Sequence, residues 1–424
     1  MTKRTKQMIN LRDYQENIST QASELLSNIG ICYLSMECRV GKTITALMTA
    51  HKYGAKSVLC VTKKKAIASI KSDYANLRNA TVDYELEVVN HESAHKASGN
   101  YDLVIIDEAH SIGAYPTPAK KAKRLKQLCK GLPVIFMSGT PTPESYSQLY
   151  HQLWVCDYSP WREYRSFYDW AKDYVGIRNK WVNGRQVKDY SCAYIDLILR
   201  DIDDFMLTYT QEEAGFKTYI EEETLIVPMK RQTEMLLKEI YKNRVAYLPN
   251  DLVIEADTPA KLLTKMHQLS SGTVIAEDGT YLILDASKAL YAREYFKGKK
   301  IAIFYTYQAE AELLHKVFPN WTESPEEFQA STDKTFICQV RRAREGVRLD
   351  TADALVFYNL EYSYLSYEQG RNRIASKERE NPCKVYFLCS DCGIETDILD
   401  AVHNKSDFTL SWYRKHGLHG KYSA

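Results

Sequence analysis

The chain holds 424 residues, room for about two or three domains of ordinary size. Its 45% hydrophobic and 26% charged residues are the proportions of a chain that folds around a core. The 56 basic and 54 acidic residues nearly cancel, to a formal net charge of +2. That excludes a protein basic all over that coats nucleic acid, but not a local basic track. Tyrosine is over-used, at 31 against 12 Phe. No apolar run approaches the ~20 residues of a membrane span. The start, MTKRTKQMINLRDYQ, has charge but no apolar segment of a secretory signal. The Cys residues follow no framework spacing, so reduced thiols and a cytoplasmic setting are expected.

In chain order, ICYLSM reads as a strand, followed by a turn and a helix from Thr43 to Tyr53. SVLCVT is the next strand, then a Lys-rich helix start, then the strands TVDYELEVVN, YDLVIIDEA and LPVIFMSGT. Apolar runs of this length separated by helices predict a parallel sheet with right-handed crossovers. Between 159 and 259 the pattern changes to helical insertions and a linker. In WREYRSFYDWAKDYVGIRNKW the aromatics recur at three and four residues, the spacing of a packed helix face. From Ser287 the alternation returns: ALYAREYFKG and QAEAELLHKVF as helices, KKIAIFYTY, KTFICQV, ADALVFYNL and CKVYFLCS as strands. The expected class is α/β in two halves: 1–210 with an aromatic helical insertion at about 159–200, and 211–424 with a helical linker at about 229–286.

The strand ICYLS runs into Met36-Glu37-Cys38-Arg39-Val40-Gly41-Lys42-Thr43 and then a helix. A loop so placed turns backbone N–H groups toward an anion. Gly41 lets the backbone approach phosphates, Lys42 brings charge to them, and the Thr43 hydroxyl suits Mg²⁺. Met36 stands where the first Gly of the full phosphate-loop pattern belongs. Asp107 and Glu108 end the strand of YDLVIIDEAH. There one carboxylate can hold Mg²⁺ and the other can orient or deprotonate an attacking water.

With Ser138-Gly139-Thr140-Pro141 third in the order, the chain resembles the superfamily-two helicases and translocases. That resemblance implies two RecA-like lobes in tandem with a nucleotide cleft between them, and ATP with Mg²⁺ as cofactors. It makes Leu11-Arg12-Asp13-Tyr14-Gln15 an adenine-reading segment, with Arg12 and Gln15 on the nucleotide beside Arg39 and Gly41. It makes His110, Ser138, Gly139, Thr140 and Gln369 coupling residues. In the second half, Gln339 to Asp353 resembles a segment touching nucleic acid and nucleotide, Gly346 included. Tyr367-Glu368-Gln369-Gly370-Arg371-Asn372-Arg373 resembles the arginine-finger helix, though Asn372 and Ser376 break its usual spacing. Arg373 is the first candidate for the finger and Arg371 the second.

Several stretches are similar to Swi/Snf-type translocases in a short viral form: MECRVGKT, TPAKKAKRLKQL, IDDFMLTYTQEE and KLLTKMHQLSSG before SKAL. The resemblance implies a DNA-dependent ATPase or helicase in viral DNA replication or recombination, with DNA and replication or recombination proteins as partners. Two alternatives stand beside it: a branch-migration or annealing helicase acting on forked DNA, and a nucleic-acid-binding module without turnover. Candidate phosphate contacts are Lys63, Lys64 and Lys65, and Arg341, Arg342 and Arg344. The Lys120 to Lys130 run reads first as a solvated helix face. Cys383, Cys389, Cys392 and His403 lack zinc-site spacing, so no zinc is expected.

Overall fold

The computed structural model describes residues 11–405, apart from 80, 183–184, 218, 344–346 and 378. The chain divides into two compact units, the first holding residues up to Gly215 and the second running Phe216–Asn404. Among the described residues no helix is long and apolar enough to cross a membrane.

The first unit opens with α1 (Asp13–Ile29), β1 (Ile31–Met36), α2 (Lys42–Tyr53), β2 (Ser57–Thr62), α3 (Ile67–Arg78) and β3 (Glu85–Asn90). It continues with β4 (Leu103–Ile106), α4 (Lys120–Leu128), β5 (Val134–Met137), α5 (Gln148–Leu153) and α6 (Phe167–Tyr174). The strands β6 (Arg178–Val182) and β7 (Arg185–Asp189) pair as a hairpin, and α7 (Ile195–Ile202) and β8 (Met206–Tyr209) close the unit. Six strands make one parallel sheet in the order β3-β2-β4-β5-β1-β8. β1, β4 and β5 are buried along their whole length. Helices cover both faces of such a sheet, which is why these strands read as unbroken apolar runs.

The second unit begins with β9 (Ile220–Val227), α8 (Arg231–Asn243), β10 (Val245–Leu248), β11 (Leu252–Glu255), α9 (Pro259–Ser270), β12 (Thr273–Ile275) and β13 (Tyr281–Ile283). Then come α10 (Ser287–Tyr295), β14 (Ile301–Tyr305), α11 (Gln308–Val317), β15 (Trp321–Thr322), α12 (Pro325–Ala330) and β16 (Thr335–Gln339). α13 (Val340–Ala343), β17 (Ala354–Phe357), α14 (Tyr364–Arg371), β18 (Cys383–Ser390) and α15 (Ile394–Lys405) complete it. Its parallel sheet has the order β15-β16-β14-β17-β18-β9. Two parallel six-stranded sheets with crossover helices are the expected pair of RecA-like lobes in tandem.

The stretches read as helical carry strands as well. β6–β7 lies inside the aromatic insertion, and β10–β11 and β12–β13 lie inside the linker. Asn250 and Asp251 both adopt positive φ (63° and 57°) between β10 and β11, the conformation of a tight hairpin turn. β8 and β9 each add an edge strand to a main sheet. The aromatic residues do form a core: Trp161, Phe167, Trp170 and Tyr174 are buried, with the Trp170 and Tyr174 rings stacked at 5.1 Å. Trp161 Nε1 donates to Asp201 Oδ2 at 3.0 Å, so its polar edge is satisfied.

Candidate functional site

All strands of the first sheet are parallel, so their C-terminal ends share one edge, where open α/β sheets bind ligands. The phosphate-loop residues follow β1, Lys63 follows β2 and His91 follows β3. Asp107 and Glu108 follow β4, and Ser138 to Thr140 follow β5.

Gly41 has φ 87° and caps the N-terminus of α2. A side chain there would be strained, and its Cβ would collide with Gln15 Nε2. Arg39 also sits at positive φ (65°), where the resembled pattern carries Gly. Lys42 Nζ donates to the carbonyls of Met36 (2.8 Å) and Glu37 (2.9 Å), which curls the loop around the ammonium. Thr43 stands on the first turn of α2. The loop is braced from outside. Tyr14 donates to the Val40 carbonyl at 2.8 Å and stacks on Tyr209 at 4.4 Å. Gln211 donates its backbone N–H to Glu37 Oε2 (2.8 Å) and its amide to the Cys38 carbonyl (3.0 Å). Gln15 is buried beside Gly41, and its Oε1 accepts from the Arg12 N–H at 3.0 Å. The Arg12 guanidinium donates to Tyr14 Oη at 3.1 Å.

Thr62 donates to Asp107 Oδ2 at 2.6 Å. Burial, and then the neighbouring Glu108 carboxylate, lift the Asp107 pKa to about 6, while Thr62 and Lys42 act the other way. A half-buried carboxylate with this cost fits a site for a divalent cation. Glu108 takes the left-handed conformation (φ 51°, ψ 46°), uncommon for a residue with a side chain. Its Oε2 lies 3.2 Å from His110 Nδ1, which lies 3.0 Å from Ser138 Oγ. Ser138 Oγ in turn accepts from the Thr140 N–H at 3.1 Å. Gly139 closes on the loop: a Cβ there would stand 3.3 Å from both Lys42 Nζ and the Met36 carbonyl. The structure therefore gathers Lys42, Gly41, Asp107, Glu108, His110, Ser138 and Gly139 in one place.

Lys63 is half-buried, and Lys64 and Lys65 are exposed. Lys121, from α4, meets this group: burial, opposed by Glu92 and joined by Lys63, holds its pKa below the ordinary value. The α4 lysines are thus not all a solvated face. His91 joins them. It is buried, and its Nε2 lies 3.0 Å from the Asp107 carbonyl. Burial first, then Lys121 and Lys63, hold its pKa at about 4 against the opposing pull of the Asp107 carbonyl, so the ring is neutral. His91 was not singled out by sequence. A lone His past a strand end carries no pattern, and its place at the shared sheet edge was the only available signal.

In the second unit, Arg371 is locked. Its Nη1 pairs with Glu222 Oε1 at 3.0 Å and its Nε with Glu368 Oε2 at 2.8 Å. Arg373 Nε donates to the Gln369 carbonyl at 3.0 Å. Gln369 is buried, and its Oε1 has no hydrogen-bond partner. Arg341 pairs with Glu361 at 2.6 Å and Arg342 with Glu323 at 3.2 Å. Arg344 and Gly346 lie outside the described residues. Cys383 and Cys389 lie buried on β18, and His403 Nε2 lies 3.3 Å from Glu222 Oε2.

No protein-family model matches this chain. No curated protein sequence matches it. Among solved structures it is similar to the Sulfolobus solfataricus SWI2/SNF2 ATPase core in complex with dsDNA, at 14% identity and a TM-score of 0.41. That match covers 95% of this chain and 93% of that one. It is also similar to the Sulfolobus solfataricus SWI2/SNF2 ATPase core domain, at 15% identity and a TM-score of 0.42, over 96% of this chain and 92% of that one.

Proposed function

We propose that this chain is a DNA-stimulated ATPase that moves along DNA, with ATP and Mg²⁺ held at the sheet edge of the first unit. The observation that carries the reading is the convergence of a braced Gly41-Lys42 loop, a half-buried Asp107 beside Glu108, and Gly139 closing on Lys42. Lys42 exchanges its two loop carbonyls for phosphate oxygens. Thr43 and Asp107 supply oxygens for Mg²⁺, which when bound neutralises phosphate charge. Glu108 accepts the proton of the attacking water, and His110 relates its position to Ser138. The role of transition-state arginine is assigned to Arg373, the first candidate in the segment that resembles the arginine-finger helix, and Arg371 is held by two carboxylates. Lys63, Lys64, Lys65 and Lys121 take backbone phosphates without reading sequence.

The motif order supports a translocase of the Swi/Snf type serving DNA replication or recombination. Strand displacement on forked and four-way DNA separates this from branch migration: triplex displacement without unwinding marks a duplex translocase. The direct test is phosphate release with duplex DNA, single-stranded DNA and RNA. The wild type hydrolyses ATP faster with DNA, and Lys42→Ala is inactive. Glu108→Gln falls by about 10²–10⁴, the usual contribution of a general base. Undiminished turnover in Glu108→Gln would remove that residue from the chemistry, and no turnover in the wild type would leave a binding module.

A further inference from the structure

His91 stands between two groups that the proposed function treats separately. Its Nε2 reaches the carbonyl of Asp107, 3.0 Å away. The neutral ring donates through Nε2–H to that oxygen, which leaves Nδ1 as an acceptor. Nδ1 is buried and has no hydrogen-bond partner. The His91 N–H donates to the Thr62 carbonyl at 3.0 Å, which sets the residue beside Lys63 at the end of β2, and Lys63 and Lys121, from α4, are both close enough to disfavour a second proton on the ring. Glu92, next in the chain, draws on Lys121, and its carbonyl accepts from Arg124 at 3.4 Å.

The oxygen that His91 holds belongs to the peptide joining Asp107 to Glu108. Rotation of that peptide sets φ of Glu108, which is already left-handed at 51°. For a residue with a side chain that conformation costs about 1–2 kcal/mol, so it persists where surrounding contacts impose it. His91 is one such contact.

We infer that His91 is a positioning residue that ties the Lys63–Lys121 cluster to the Asp107–Glu108 peptide, so that a nucleic-acid phosphate on the cluster changes how Glu108 is presented. This rests on the ATPase reading above and deepens it. When a phosphate draws Lys63 and Lys121 toward itself, the positive charge beside the ring changes. The ring then shifts against the Asp107 carbonyl, and the carboxylate of Glu108 follows its own backbone.

The test compares wild type, His91→Asn, His91→Leu and His91→Gln. Turnover is measured with and without duplex DNA, and DNA affinity by fluorescence anisotropy. Gln can still donate to the Asp107 carbonyl from the position of Nε2, whereas Asn is too short and Leu has no donor. The ratio of stimulated to unstimulated turnover falls about tenfold in His91→Asn and His91→Leu but less than about threefold in His91→Gln, within the range of ordinary coupling between sites. DNA affinity stays within about threefold in all three, as a residue that relays binding requires. A merely structural role lowers both turnovers alike and leaves the ratio unchanged, which would overturn the inference. Lost DNA affinity in His91→Asn would also overturn it, by making His91 a contact. If His91→Leu does not fold, the Asn and Gln pair decides. Absence of DNA stimulation in the wild type overturns the ATPase reading and this inference together.

Discussion

Asp107 is half-buried, and its ionised form is costly until a cation answers it. The native state keeps the Asp107 proton up to about pH 6, whereas the ordinary value is 3.8. Between these values the native state binds more protons than the unfolded chain, so stability falls as pH rises, and the full cost is present above pH 6. Asp107→Asn removes that cost. In chelator without nucleotide, the variant melts higher than the wild type at about pH 8, and the gap closes below about pH 4. Equal melting at about pH 8 would show that the carboxylate bears no desolvation cost. The two arginines of α14 and its end also part company. Arg371→Ala strands Glu222 and Glu368 and destabilises the protein by about 2 kcal/mol, between the exposed and buried limits for ion pairs. Arg373→Ala lowers DNA-stimulated turnover by about 10³, the scale of an arginine finger. Urea melts and steady-state kinetics on both variants separate the two roles. The reverse pattern would make Arg371 the finger.

The phosphate loop is an element whose ends were legible and whose support was not. Gly41, Lys42 and Thr43 stand out because a strand precedes them and a helix follows. Met36 in place of the first Gly left open how the loop keeps its shape. Its shape is kept by Tyr14, by Tyr209 stacked on it, and by Gln211, the last two near residue 210 in the chain. No local pattern announces contacts at that separation. Gly41→Ala places a side chain at φ 87° and against Gln15. The strain of about 1–2 kcal/mol corresponds to about tenfold weaker nucleotide binding. Isothermal titration with a non-hydrolysable nucleotide measures it, and unchanged affinity would mean that the loop adapts. The hairpin β6–β7 was missed although Asn183-Gly184, between its strands, is a hairpin signal in sequence. The aromatic spacing on the N-terminal side of it spoke for helix and drew attention away. β8 and β9 escaped because edge strands carry mixed polar and apolar residues and lack the buried runs of β1 or β14.

Across the whole molecule the charge total of +2 conceals an uneven distribution. Lys63 and Lys121 are near enough to repel each other, which favours an anion beside them, and Arg341, Arg342 and Arg348 each hold a carboxylate. DNA affinity therefore falls steeply with salt, and the lysines carry more of the slope. Lys63→Ala and Lys64→Ala together reduce the log–log salt slope by about 2, or 0.9 for each duplex phosphate released. Arg341→Ala changes it less, because an intramolecular carboxylate already answers that charge. An unchanged slope in the lysine variant would place the track elsewhere. The tyrosine excess has a partial physical account. Tyr33, Tyr84 and Tyr358 are fully buried, and each donates its hydroxyl, to Gln152 Oε1, the Leu47 carbonyl and the Ser271 carbonyl respectively. They fill core volume as Phe would and join distant segments by a hydrogen bond.

The sequence by itself determined the two α/β halves and which residues stand at the strand ends of the first sheet. Strands buried on both faces must be apolar runs, and ligand chemistry in a parallel sheet must lie where those runs end. Only the tertiary structure decided which arginine is bound by Glu222, what braces the Gly41 loop, which strands finish each sheet, and that His91 reaches the Asp107 carbonyl. These depend on side chains meeting across long stretches of chain, where local periodicity carries no information and packing alone selects the partner.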